Sequence, residues 1–112
     1  MKIIIAAILY VFLLPSASFA GAMECKIGPL DMDIGGNKWQ VYACSDEKSI
    51  IAVSAPGNPA MPFFFSVSPK SGGYTVSGEG NGDKAASKSA YEELVKYPKE
   101  KIEKIISKAK NV

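Results

Sequence analysis

The sequence has no histidine and no arginine; all thirteen of its basic residues are lysine. Without histidine, the Ser-His and Cys-His pairs that activate most protein nucleophiles cannot be built, and histidine-ligated zinc sites are excluded with them. The expectation is that the chain is not an enzyme, with Ser/Lys or carboxylate chemistry the only routes left open. Charge of one sign is not in excess either. Thirteen lysines stand against eleven acids, too balanced to point to nucleic acid or an anionic membrane as the main partner. No apolar run reaches the ~20 residues that a membrane-spanning helix needs. No internal repeat and no domain linker is visible.

What is present begins with export. Residues 1–20 read MKIIIAAILYVFLLPSASFA. Lys2 supplies a positive start, Ile3 to Leu14 is an apolar run of twelve, Pro15 breaks it, and Ser18-Phe19-Ala20 offers small residues for signal peptidase. Cleavage is expected after Ala20, with a second site after Ala22. Glu24 before Cys25 argues against a lipoprotein box. The expected division is a signal peptide, 1–20, and one small domain, 21–112, in the periplasm or secreted. A chain of that length lies near the lower limit for building its own core.

The two cysteines, Cys25 and Cys44, are expected to form a disulfide, since an exported chain meets an oxidising compartment. The alternative is two free buried thiols. A bridge closing so short a loop adds about 3 kcal/mol in the chain-entropy account. Gly35-Gly36-Asn37 between two strand-like pieces suits a tight hairpin turn, and folding back there brings Cys25 near Cys44. Strand-like runs continue: Trp39 to Cys44, Ser49 to Ala55, Phe63 to Ser68 and Tyr74 to Ser77. Pro56 to Pro62 holds three prolines and cannot be regular. Short connections favour an antiparallel meander.

The period then changes. Ala86, Ala90 and Leu94, joined by Tyr91, form one helical stripe; Tyr97-Pro98 interrupts it. Ile102, Ile105, Ile106 and Ala109 repeat at i, i+3, i+4, i+7 in a second helix, with Pro98 in its first turn and Glu100 and Lys104 spaced for an i, i+4 pair. The fold class expected is α+β: four to five antiparallel strands, then two helices packed on one face. Trp39, Val41, Ile51, Val53, Phe63, Phe65, Val67, Tyr74 and Val76 are the expected core face of the sheet. Charge divides with the fold. Residues 21–83 carry four lysines and seven acids; residues 84–112 carry eight lysines and four acids. A solvated helix face accounts for this.

Several stretches imitate known sites. Gly78 to Lys84 has the glycines of a phosphate loop, but Asp83 stands where the last glycine belongs and Ala85 follows the lysine. Glu79, Asn81 and Asp83 offer three oxygens to calcium, which takes six to eight. The plainer reading is a turn, with Asp83 capping the helix behind it. Asp31 to Tyr42 has the first acids and the glycine of an EF-hand loop but lacks its closing glutamate; Asp31 and Asp33 are expected on the solvent face of a strand. Ser45 to Lys48 spells Ser-x-x-Lys and is expected to be a turn. No cofactor is expected.

Phe63-Phe64-Phe65 must alternate across a strand, so Phe64 points away from the core if its neighbours enter it. The plainer reading is that the N-terminal segment covers that face; left exposed beside the proline-rich loop, Phe64 suits a protein partner. Val41-Tyr42-Ala43-Cys44, followed by apolar strands and Ser71-Gly72-Gly73-Tyr74, resembles the periplasmic C-type lysozyme inhibitors, small disulfide-bonded β proteins with a Ser-Gly-x-x-Tyr loop. Here the spacing is one residue short, and a two-helix tail is not part of that family's barrel. The resemblance implies a loop that enters an enzyme cleft, with Lys70 and Ser71 the residues to test. The functional expectation is an exported protein-binding module, an inhibitor or immunity protein, contacting another protein in the envelope or outside the cell through Phe64, Lys70, Ser71 and Tyr74. The alternatives are a lysozyme-inhibitor-like protein, or a small metal-binding or structural envelope protein.

Overall fold

A computed structural model describes residues 23–112. The apolar N-terminal run and both expected cleavage points lie outside the described residues. Five strands follow one another as an antiparallel meander: β1 (Ile27–Ile34), β2 (Asn37–Ala43), β3 (Ile50–Ser54), β4 (Phe63–Lys70) and β5 (Gly73–Gly80), in the spatial order β1-β2-β3-β4-β5. Two helices complete the chain, α1 (Lys84–Leu94) and α2 (Lys99–Lys110). This is the α+β layout expected. No described helix is long and apolar enough to cross a membrane.

The turns form where the glycines permit. Gly35 and Gly36 take φ of 63° and 89° between Ile34 and Asn37, which pair across the hairpin. That register runs back to Ile27 opposite Ala43, with a bulge between Ile27 and Leu30. Cys25 and Cys44 therefore meet at the open end of the hairpin and form the expected disulfide.

One face of the sheet is the core. Trp39, Val41 and Ala43 of β2 are fully buried, with Phe65 and Val67 of β4 beside them. Ile102, Ile105, Ile106 and Ala109 of α2 and Ala86, Ala90 and Leu94 of α1 close over them. Phe65 stacks between Trp39, 5.4 Å away, and Tyr91, 6.4 Å away. The indole N–H of Trp39 donates to the Ile34 carbonyl at 3.1 Å, so its one polar atom is paired in the interior.

The expected core face is corrected in β3. Ile50, Ala52 and Ser54 point inward, and Ile51 and Val53 lie on the outer face. Ile50-Ile51-Ala52-Val53 has no alternation to choose a face, so the partner strands choose it. Ala43 sits opposite Ile50, and Val41 opposite Ala52. The connection that sets this register is short and braced. Asp46 accepts N–H bonds from Lys48 and Ser49, both at 2.9 Å, and Cys44 donates to Ser49. Ser54 is tolerated inside because its hydroxyl accepts from the Phe63 amide.

Two smaller adjustments follow. Pro98 precedes α2 as its N-cap residue instead of opening its first turn. The i, i+4 ion pair on α2 is Lys99–Glu103 at 4.0 Å, not Glu100–Lys104.

Candidate functional site

The helices do not cover the sheet evenly. α2 packs on β1 and β2, while α1 touches β1, β4 and β5 and covers none of them fully. The gap left at one end of the sandwich is a groove of about 770 Å³. Its floor is the inner face of β4 and β5, with Val67, Tyr74 and Val76; its roof is Leu94, Val95 and Tyr97 from the end of α1 and the turn after it. The gap exists because the helix layer breaks there. Pro98 stops α1 from continuing, Tyr97 donates to the Leu94 carbonyl to tighten the last turn, and the chain re-enters helix at Lys99. Glu47, Lys48, Lys99 and Glu103 make a charged rim of mixed sign. The volume lies within the usual range for ligand pockets, and the lining mixes apolar side chains with polar and charged ones.

Three carboxylates brace the turns at the two ends of β2. Glu93, on the last turn of α1, accepts the Tyr97 hydroxyl at 2.5 Å with one oxygen and the Gly35 amide at 2.8 Å with the other. Burial, and then the Glu93 carboxylate, push the Tyr97 hydroxyl well above the usual phenol range. It stays a neutral donor at any physiological pH. Burial also pushes the Asp46 carboxyl up, but the Ser49 hydroxyl, the two amides and Lys48 outweigh this and hold it below its ordinary value. Glu47, in the left-handed region at φ 59°, is paired with Lys110 of α2.

The residues singled out for partner contact separate into two places. Lys70 and Ser71 are exposed at the tip of the β4–β5 hairpin, with Gly72 at φ 77°; they do not line the groove themselves, but their neighbours Pro69, Gly72 and Gly73 do. Tyr74 is half-buried on the inner face behind them and forms part of the floor. Phe64 is on the outer face, 40% exposed, near the opposite end of β4. Six residues of strand, about 20 Å, separate it from Lys70. Its neighbours are Val53, directly opposite on β3, and the exposed Met61, around a shallow apolar depression of about 440 Å³. Tyr42 shares this face, whereas Ile50 points into the core. Sequence reasoning missed Val95, Tyr97 and the β2–β3 turn as parts of the groove. The Tyr97-Pro98 break was the available signal.

The imitated motifs resolve into turns and caps. Asp83 accepts from the Ala86 amide at 3.1 Å as the N-cap of α1. Gly82 packs so closely that a Cβ there would meet the Ala60 carbonyl oxygen at 1.9 Å. Asp31 and Asp33 are exposed on β1, and Asp33 pairs with Lys38. Ser45 lies in a turn, where its hydroxyl accepts from the Glu24 amide beside the disulfide. The proline-rich loop is braced from within: buried Asn58 donates to the Lys38 carbonyl and accepts from the Ala60 amide.

No protein-family model, curated protein or solved structure matches this chain.

Proposed function

We propose that this is an exported protein-binding module, acting as an inhibitor or immunity protein, and that it engages its partner with the β4–β5 tip and the groove behind it. The observation that carries the reading is the coincidence of the two. The hairpin whose tip carries Lys70 and Ser71, the residues marked by the sequence, also lines a recess of about 770 Å³ through Pro69, Gly72 and Gly73. A protruding loop beside such a recess can insert into a partner while accepting one of its side chains. The disulfide and the apolar N-terminal run support an oxidising destination outside the cytoplasm. The polar groups around the groove are already engaged, Tyr97 with Glu93 and Glu47 with Lys110, which suits contact more than chemistry.

Photo-crosslinking tests this. A photoreactive residue at position 71, in cells that make and export the protein, is expected to trap one other protein. Excess wild-type protein should suppress that adduct, and Ser71→Arg protein should not. A photoreactive residue at position 64 samples the opposite face. An adduct formed only from position 64, or adducts made only of two copies of this chain, would defeat the reading.

A further inference from the structure

The two edges of the sheet differ in a way that the groove does not explain. The β1 edge is guarded. It carries Pro29, a bulge between Ile27 and Leu30, and the exposed Asp31 and Asp33; these are the devices by which proteins stop edge-to-edge pairing. The β5 edge has none of them from Gly73 to Gly78: no proline, no charge and no bulge.

The hydrogen-bonding groups of that edge can be assigned. Lys70 and Gly73 flank a two-residue turn and form a bonded pair. Bonded and non-bonded pairs alternate along an antiparallel ladder. Pro69–Tyr74, Val67–Val76 and Phe65–Gly78 are therefore non-bonded, which suits Pro69, since it has no N–H to give. The N–H and C=O of Tyr74, Val76 and Gly78 thus point away from β4, along the free edge. Among the described residues no backbone or side-chain bond reaches them from outside the sheet.

We propose that β5 is a dimer interface, in which two copies pair their β5 strands antiparallel about a two-fold axis at Val76. The occupant is read from complementarity in that register. Val76 meets its own copy as a bonded pair, and Tyr74 meets Gly78 of the second copy in both directions, so the free groups from Tyr74 to Gly78 are satisfied. Tyr74 then comes against the rings of Phe63 and Phe65, which occupy the space over Gly78.

Charge agrees. Lys70 and Glu79 are the only charges on the outer face of the β4–β5 hairpin. Within one copy they are six positions apart, about 20 Å, and cannot pair. In the dimer Glu79 lies opposite Gly73 of the second copy, and Gly73 is itself opposite Lys70. Across a glycine, two strand spacings or about 10 Å, a lysine and a glutamate reach each other, and they do so twice. The hairpin tips end at opposite sides of a ten-stranded sheet, so this inference does not depend on the groove having a partner.

Sedimentation velocity over a concentration series tests it on the disulfide-bonded protein. Wild type should show a monomer–dimer equilibrium. Val76→Pro removes both central donors while leaving the β4 ladder intact, and should be monomeric with unchanged circular dichroism. Lys70→Glu and Glu79→Lys should each weaken the dimer about tenfold, and the double reversal should restore it to within about threefold. A wild type that stays monomeric, including one that instead takes up an extended peptide of another protein on this edge, overturns the proposal. So does a dimer that survives Val76→Pro, or a double reversal that fails to restore it.

Discussion

Glu93 and Glu92 are neighbours of identical chemistry, and nothing in the sequence separates them. Glu92 is exposed; Glu93 is partly buried and joins three elements with two oxygens. Its loss would leave the Gly35 amide and the Tyr97 hydroxyl without an acceptor. Glu93→Ala is expected to cost about 2 kcal/mol in urea unfolding, and Tyr97→Phe, which keeps the Gly35 bond, about 1 kcal/mol. Trp39 is the only tryptophan and is fully buried, so its fluorescence reads both transitions from inside the core. Equal losses from the two variants would show that the Gly35 bond contributes nothing. Asp83 is the contrasting case. A capping residue at a strand-to-helix joint is legible from type and position alone, because the bond it makes is local.

At the level of elements, the β1–β2 turn shows how a local signal acquires a tertiary reason. Both Gly35 and Gly36 take positive φ, as a tight hairpin turn asks. Only Gly35 is also pressed against α1, where an added Cβ would lie 2.5 Å from the Ala90 nitrogen; at Gly36 it would meet open space. Gly35→Ala should therefore lose about 3 kcal/mol, from left-handed strain plus overpacking, and Gly36→Ala about 1 kcal/mol from strain alone. Chemical denaturation of the two variants measures the difference, and similar losses would mean that α1 does not rest on this turn. The helices were legible because their stripes repeat at 3.6 residues. The facing of β3 was not, because four successive apolar residues fit either side of a sheet and the braced turn at Asp46 made the choice.

For the whole molecule, a small domain with one core depends on what closes it. The Cys25–Cys44 bridge spans 19 residues and ties the segment before β1 to the end of β2. Reduction, or Cys25→Ser with Cys44→Ser, is expected to lower stability by about 3 kcal/mol. Thermal unfolding with and without reductant checks this, and an unchanged midpoint would mean that the β1–β2 hairpin alone confines the chain. The open side of the layer sits at the other extreme of order. The groove lies where α1 has ended and α2 has not yet covered the sheet. The free edge of β5 is a separate consequence of the meander, which leaves one edge of β1 and one of β5 unpaired and guards only that of β1.

The sequence by itself determined the strands, the two helices, the cysteine pair, the cap at Asp83 and the α+β class. Each follows from spacing, turn chemistry or a count, which act over a few residues. Only the tertiary structure decided that Ile50 and not Ile51 faces the core. It also separated Phe64 from Lys70 and Ser71, brought Tyr97 beside Tyr74, and left β5 free while β1 is guarded. These depend on which segments meet across the sheet, and register and layer coverage are set by contacts far apart in the chain.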